Sequence, residues 1–156
     1  MPSLPIDSVQ INNLLTIIVA MVLGALIGLD REAKDKPAGL RTHMLVAGAA
    51  ALLVFLGDVV IQHYGGDLGN SLVRSDPIRI VEAVITGVTF LGAGTIIRSG
   101  ADRRVEGLTT AASILLAAAV GIAVALSQFW LALGVTLIAL LTLRGIPVVE
   151  RWFMDR

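Results

Sequence analysis

Two carboxylates lie inside otherwise apolar runs, and they are the side chains best suited to bind a cation. Asp58 comes late in the run that begins near Arg41, and Glu82 comes just after Arg79 at the start of the next run. At about 1.5 Å per helical residue, Asp58 lies near the end of one predicted helix and Glu82 near the start of the next, so the two carboxylates share a depth and could converge. Mg²⁺ prefers oxygen ligands and keeps several waters, so Asp58 and Glu82 form a candidate weak Mg²⁺ site. The alternative is that Glu82 pairs with Arg79 and Asp58 reaches headgroup water.

A second polar set lies at the opposite ends of the same runs. We call it the rim cluster, and its members are Asp30, Arg31, Glu32, Arg41, Thr42, His43, Arg98, Glu106, Thr109 and Thr110. Mixed charges at adjacent helix ends should form hydrogen bonds that either tie the helices together or make a surface for partner docking or gating. We expect His43 to be a hydrogen-bonded interfacial histidine rather than a ligand. Thr109 and Thr110 are expected to cap a helix or bond its neighbours.

The residue inventory argues against catalysis. The chain has two histidines and no cysteine, which excludes disulfides, thiol chemistry and thiolate metal sites. It contains no HExxH, phosphate-binding glycine loop or paired CxxC motif. Its formal net charge of zero gives no support for a nucleic-acid partner. We therefore expect no enzyme and no cofactor, the candidate Mg²⁺ ligand set apart.

Composition indicates an all-α membrane protein. Hydrophobic residues make up 56% of the 156-residue chain and charged residues 15%, with a mean hydropathy of +0.85. Soluble domains carry about 25% charged residues. The uncharged runs recur at the length that crosses a hydrocarbon core of about 30 Å. The lipid bilayer is thus the first expected partner.

Five transmembrane helices are predicted. They cover residues 14–29 (with uncharged 8–13 able to extend the first), 40–62, 78–98, and two spans within 108–143 separated by a turn near 127–128. Pro147 is expected to stop or kink the last helix. The sequence then divides into an extracytoplasmic tail (1–13), a transmembrane domain (14–152) and a cytoplasmic tail (153–156), with no soluble C-terminal domain.

The distribution of Lys and Arg predicts the orientation. Cytoplasmic loops carry an excess of these residues. One side of the predicted bundle would hold ten of them: Arg31, Lys34, Lys36, Arg41, Arg98, Arg103, Arg104, Arg144, Arg151 and Arg156. The other side would hold only Arg74 and Arg79. The N-terminus is therefore predicted outside and the C-terminus in the cytoplasm.

Small residues predict where helices approach closely, since lipid gives helices little hydrophobic reason to associate. They recur at four-residue spacing in the first and fourth helices: Ala20, Gly24 and Gly28, then Ser113, Ala117, Gly121 and Ala125. We favour intramolecular packing, with a homodimer seam as the alternative. Gly92 and Gly94 are expected to pack in the same way, the alternative being a locally opened helix whose carbonyls meet an ion.

Two motifs resemble the MgtC/SapB family of bacterial inner-membrane proteins. One is GLDREAKDKPAGLRTHMLV, residues 28–46, and the other is FLGAGTIIR followed by VEGLTTAAS, residues 90–113. Asp30, Thr89 and Leu115 depart from the family pattern, which usually has Glu, Gly and an aromatic residue there. The resemblance implies a multi-pass inner-membrane protein linked to growth at low magnesium and to virulence. It also implies modulation of membrane energetics, including contact with the F-type ATP synthase.

Two functions follow from these expectations. The first is a non-enzymatic regulator that binds a membrane partner, such as an ATPase, through small-residue helix faces and the rim cluster. The second is a channel or carrier for a small cation such as Mg²⁺, which would use Asp58, Glu82 and the Gly92–Gly94 region. The middle of each predicted span is almost free of acids and amides, so the regulator is favoured.

Overall fold

A computed structural model describes residues 8–65, 78–99 and 104–154. Five helices fill most of this part of the chain. They are α1 (Ser8–Glu32), α2 (Leu40–Gly65), α3 (Ile78–Ala93), α4 (Leu108–Ala125) and α5 (Phe129–Met154). A short hairpin of β1 (Ile97–Ser99) and β2 (Arg104–Glu106) joins α3 to α4. Arg74, Arg103, Arg156 and the tail residues 1–7 and 155–156 lie outside the described residues.

Three helices are long and apolar enough to cross a membrane. They are α1, α4 and the segment Leu40–His63 of α2. The 16 residues of α3 span about 24 Å, which is less than a typical hydrocarbon core. The apolar part of α5 within the described residues is Phe129–Gly145. The predicted helical fold class is therefore confirmed, with three helices in the described part of the chain that are long and apolar enough to span a bilayer.

The central element is α4, which contacts each of the other four helices. On one side, Ile114, Ala118 and Ile122 pack in a core with residues of α2 and α3. On another side, Val120 and Val124 pack in a core with residues of α1 and α5. Large apolar side chains such as Phe90 and Trp130 are exposed, as expected for surfaces that contact lipid.

Glycines allow α1 and α4 to meet the backbone of α2 from two sides. A Cβ added at Gly24 would lie 2.5 Å from the His43 carbonyl oxygen and 2.8 Å from the Ala47 Cβ. A Cβ added at Gly121 would collide with the Ala47 carbonyl oxygen. Gly28 is equally close to the start of α2, where an added Cβ would lie 2.7 Å from the Leu40 Cα. The predicted small-residue faces therefore lie at contacts within the chain.

The first helix begins at Ser8, so residues 8–13 of the predicted tail are helical. The turn between α4 and α5 lies where the sequence predicts it, and Ser127 adopts a left-handed backbone conformation (φ 60°). The Gln128 N–H donates to the Ala123 carbonyl oxygen at 2.8 Å, which ends α4. Pro147 does not stop α5, since the helix continues to Met154.

The prediction for the C-terminal end of the third helix was wrong. This helix was expected to reach Arg98, but α3 ends at Ala93 and Arg98 lies in β1, opposite Val105 of β2. The Gly92 carbonyl oxygen accepts from the Thr95 N–H (2.9 Å) and the Thr95 hydroxyl (2.7 Å), so the chain turns instead of adding another helical turn. The β-branched run after Gly94 then favours a strand.

The close contact at Gly121 gives a direct test of the packing. We expect Gly121→Ala to lower the free energy of unfolding by about 1–3 kcal/mol, because backbone faces backbone and neither can move aside. Gly87→Ala is the matched control, since an added Cβ there meets no atom within 4 Å. Thermal unfolding of both variants in detergent measures the difference, and equal midpoints would contradict the packing described.

Candidate functional site

One end of the bundle gathers the ends of several helices. There α1 ends at Glu32 and α2 begins at Leu40 after a short loop. The Glu32 carboxylate accepts the Leu40 N–H at 2.7 Å, so it satisfies one of the free amides at the start of α2. This bond holds the loop against the ends of both helices.

The most strongly held side chain at this end is Asp30, which is 2% exposed. Its Oδ2 accepts from Arg31 Nη2 at 2.8 Å and from Lys34 Nζ at 3.1 Å. Its Oδ1 accepts from Arg144 Nε at 3.0 Å. Three cations thus surround one carboxylate, and the group carries two more positive charges than negative ones.

Sequence reasoning did not include Lys34 and Arg144 in the rim cluster. Lys34 follows Asp30 by four residues, a spacing typical of helical ion pairs, so the sequence held a signal for it. Arg144 is 114 residues from Asp30, and only the fold brings the two together.

Lys34 has a second acceptor that explains how α5 tolerates a proline. Pro147 has no N–H, so the carbonyl four residues earlier, that of Leu143, loses its usual helical donor. Lys34 Nζ donates to the Leu143 carbonyl oxygen at 2.5 Å. The loop between α1 and α2 therefore supplies the hydrogen bond that the proline removes from α5.

A hydrogen-bonded chain links α2 to α4 beside this network. His43 is fully buried, and its Nδ1 lies 2.8 Å from the Gly39 carbonyl oxygen, so Nδ1 carries a proton. Its Nε2 lies 3.0 Å from the Ser113 hydroxyl, which lies 2.8 Å from the Thr110 carbonyl oxygen. A hydroxyl has one proton, so Ser113 donates either to a neutral ring or to Thr110 while accepting from a protonated ring.

A cavity of about 790 Å³ adjoins Arg31 and the start of α4. It brings together four rim-cluster members: Arg31, Glu106, Thr109 and Thr110. Thr109 is exposed, and α4 begins after Gly107 (φ 92°) with no side-chain cap. The expected capping of the helix by Thr109 or Thr110 is therefore not observed. Arg41 is exposed and Thr42 half-buried on the first turn of α2.

The two carboxylates of the candidate Mg²⁺ site lie at the other end. Asp58 is exposed, accepts from Gln62 Nε2 at 2.6 Å, and lines an apolar cavity of about 450 Å³. Glu82 is exposed and is not among the described residues that line this cavity. Within the described ranges, no three His, Cys, Asp or Glu side chains are grouped to hold a metal. A Mg²⁺ site at Asp58 and Glu82 stays a prediction.

Comparison with known proteins shows which family the chain belongs to. The model of the MgtC family matches residues 17–152, which is most of the chain. The chain belongs to the MgtC family. Its membership accounts for both motifs, since the matched residues include the rim-cluster members from Asp30 to Thr110.

Three curated relatives illustrate the similarity. An uncharacterized protein of Haemophilus influenzae is 39% identical over 86% of this chain and 56% of its own length. Protein MgtC of Salmonella typhimurium is 39% identical over 81% of this chain and 49% of its own length. Protein SrpB of Synechococcus elongatus is 41% identical over 86% of this chain and 75% of its own length. The chain thus spans about half the length of the first two. No solved structure matches it significantly.

The Asp30 network predicts a large effect of a small change. Asp30→Asn keeps the shape but removes the negative charge that balances buried Arg31. Breaking one partner of a buried ion pair costs about 3–5 kcal/mol, so we expect a loss of that order in the free energy of unfolding. Asp58→Asn is the control, because Asp58 is exposed and bonds only Gln62 of its own helix among the contacts described. Denaturation in mixed micelles measures both, and a similar small change in each would contradict the assignment.

Proposed function

We propose that this chain is a non-enzymatic regulator in the bacterial inner membrane, linked to magnesium homeostasis and membrane energetics. Family membership supports a membrane protein linked to magnesium homeostasis. We propose further that it acts by docking a membrane partner, such as an ATPase, on the surface around the rim cluster. A homodimer is a second assembly compatible with this proposal.

The observation that carries the proposal is the position of the buried polar side chains. The structure buries six polar or charged residues within its described part: Asp30, Arg31, His43, Thr110, Ser113 and Thr136. The first five belong to one end of the bundle. Thr136 donates to the Ala132 carbonyl of its own helix. Among the described residues, no buried acid or amide connects that end to Asp58, so a conducting polar path has no support.

We propose that all five helices span the membrane with the rim cluster in the cytoplasm. The distribution of Lys and Arg supports this orientation, with ten on the predicted cytoplasmic side and two on the other. Five helices that alternate in direction would place these basic segments on one side. The ends of α1, α3 and α5 then face the cytoplasm together with the starts of α2 and α4. The short α3 fits a bilayer that thins locally around it.

Cysteine labelling tests the orientation, since the chain has no cysteine of its own. Lys36→Cys lies in the loop before α2 and Gln128→Cys in the turn before α5, and both positions are exposed. In intact spheroplasts, an impermeant maleimide should label Gln128→Cys and leave Lys36→Cys unlabelled until the membrane is opened. The reverse pattern would overturn the orientation.

A single reconstitution separates the regulator from the transporter. The protein is placed in sealed vesicles with a purified F-type ATP synthase, and ATP-driven proton uptake and Mg²⁺ entry are followed together. We expect a change in proton uptake and no Mg²⁺ entry above empty vesicles. Arg41→Gln should weaken the effect, since an arginine at the centre of an interface contributes about 2 kcal/mol, or about 30-fold in affinity.

Arg79→Gln provides the control, because Arg79 is also exposed but lies at the opposite end of the bundle. An effect lost equally in both variants would contradict docking at the rim. Robust Mg²⁺ entry that is abolished by Glu82→Gln would replace the regulator with the transporter.

A further inference from the structure

The cavity beside Arg31 contains the elements of an anion site that the proposed regulator does not use. Its wall includes the first residues of α4, Leu108 to Thr110. The first amides of a helix have no partner within that helix, and the aligned peptide dipoles make this end favourable for negative charge. Gly107 offers no side chain to cap them, and its own left-handed conformation brings it against Thr95. The start of α4 is thus open to the cavity.

The second element is Arg31, which lines the same cavity although its side chain is only 4% exposed. Its Nη2 donates to Asp30, but its Nε has no hydrogen-bond partner among the described residues. An unpartnered buried guanidinium nitrogen is costly, and a small rotation of the side chain toward the cavity would let a bound acceptor remove that cost. Asp30 does not neutralise this region, because Lys34 and Arg144 share the same carboxylate.

Lys36 adds a further positive charge to the lining, while Asp35 and Glu106 add two negative ones. The cavity therefore has no large positive excess at its mouth that would attract anions in general. Recognition must come from directed hydrogen bonds by Arg31 and the α4 amides. Guanidinium groups and helix N-termini both favour the tetrahedral oxygens of a phosphate group.

We propose that this cavity binds a phosphate group, held by Arg31 and the first amides of α4 with Lys36 at its edge. The phosphate is either that of a small soluble phosphate compound or that of a phospholipid headgroup, since the cavity lies at the end of the bundle where headgroups lie. The proposal is independent of any partner protein, so its test uses the purified chain alone.

The test is calorimetric titration of the full chain, delipidated in a neutral detergent. One arm titrates inorganic phosphate at constant ionic strength, and the other titrates short-chain phosphatidylglycerol below its micelle concentration. We expect saturable binding in at least one arm. Stronger binding of inorganic phosphate assigns the site to a soluble compound, and stronger binding of the lipid assigns it to a headgroup.

Three variants place the binding at the cavity. Arg31→Lys keeps the charge beside Asp30 but removes the guanidinium, and should raise the dissociation constant about tenfold. Lys36→Gln lies in an exposed part of the loop, keeps the fold, and should raise it about threefold. Arg79→Gln, at the opposite end, should leave it unchanged. If the wild-type chain shows no saturable binding in either arm, or if Lys36→Gln and a folded Arg31→Lys bind like wild type, the proposal is overturned.

Discussion

The burial of one carboxylate constrains much of this fold. Asp30 is almost completely removed from water, and a lone ionised carboxylate in that position would cost many kcal/mol. The structure offsets this by bringing cations to it from its own helix end, from the following loop and from α5. Because Arg144 is far from Asp30 along the chain, α5 must lie at one height relative to α1 for the pair to form. The charge thus fixes the height of α5.

A second constraint acts between backbones. Gly24 and Gly121 let α1 and α4 approach α2 near Ala47, and the same approach places His43 beside Ser113. The close contact and the buried hydrogen bond depend on each other, since a wider helix spacing would leave Nε2 of the imidazole without its Ser113 partner in an apolar interior. The proposed docking surface therefore rests on rigidly packed helices, and exposed Arg41 lies two residues before the buried His43, on the opposite face of α2.

Periodic and compositional signals predicted much of this. Uncharged runs located α1, α2, α4 and α5, and four-residue spacing of small residues located the helix contacts at Gly24 and Gly121. Hydropathy and residue spacing did not predict features that depend on a few specific contacts. The hairpin after α3 depends on two bonds from Thr95 to one carbonyl, which hydropathy does not register. Arg144 was missed because its partner is on another helix, and no pattern within α5 points to Asp30.

The bond from Lys34 to the Leu143 carbonyl has a mechanical meaning. Beyond Arg144, α5 continues for ten residues to Met154, which is about 15 Å of helix. A helix bends most easily where a backbone hydrogen bond is missing, and Pro147 places that weak point at Leu143. Lys34 donates hydrogen bonds both to the Leu143 carbonyl and to Asp30, so the point where α5 bends most easily is bonded to the end of α1. A sideways force on the last turns of α5 would then act on the loop that contributes Lys36 to the edge of the proposed phosphate site.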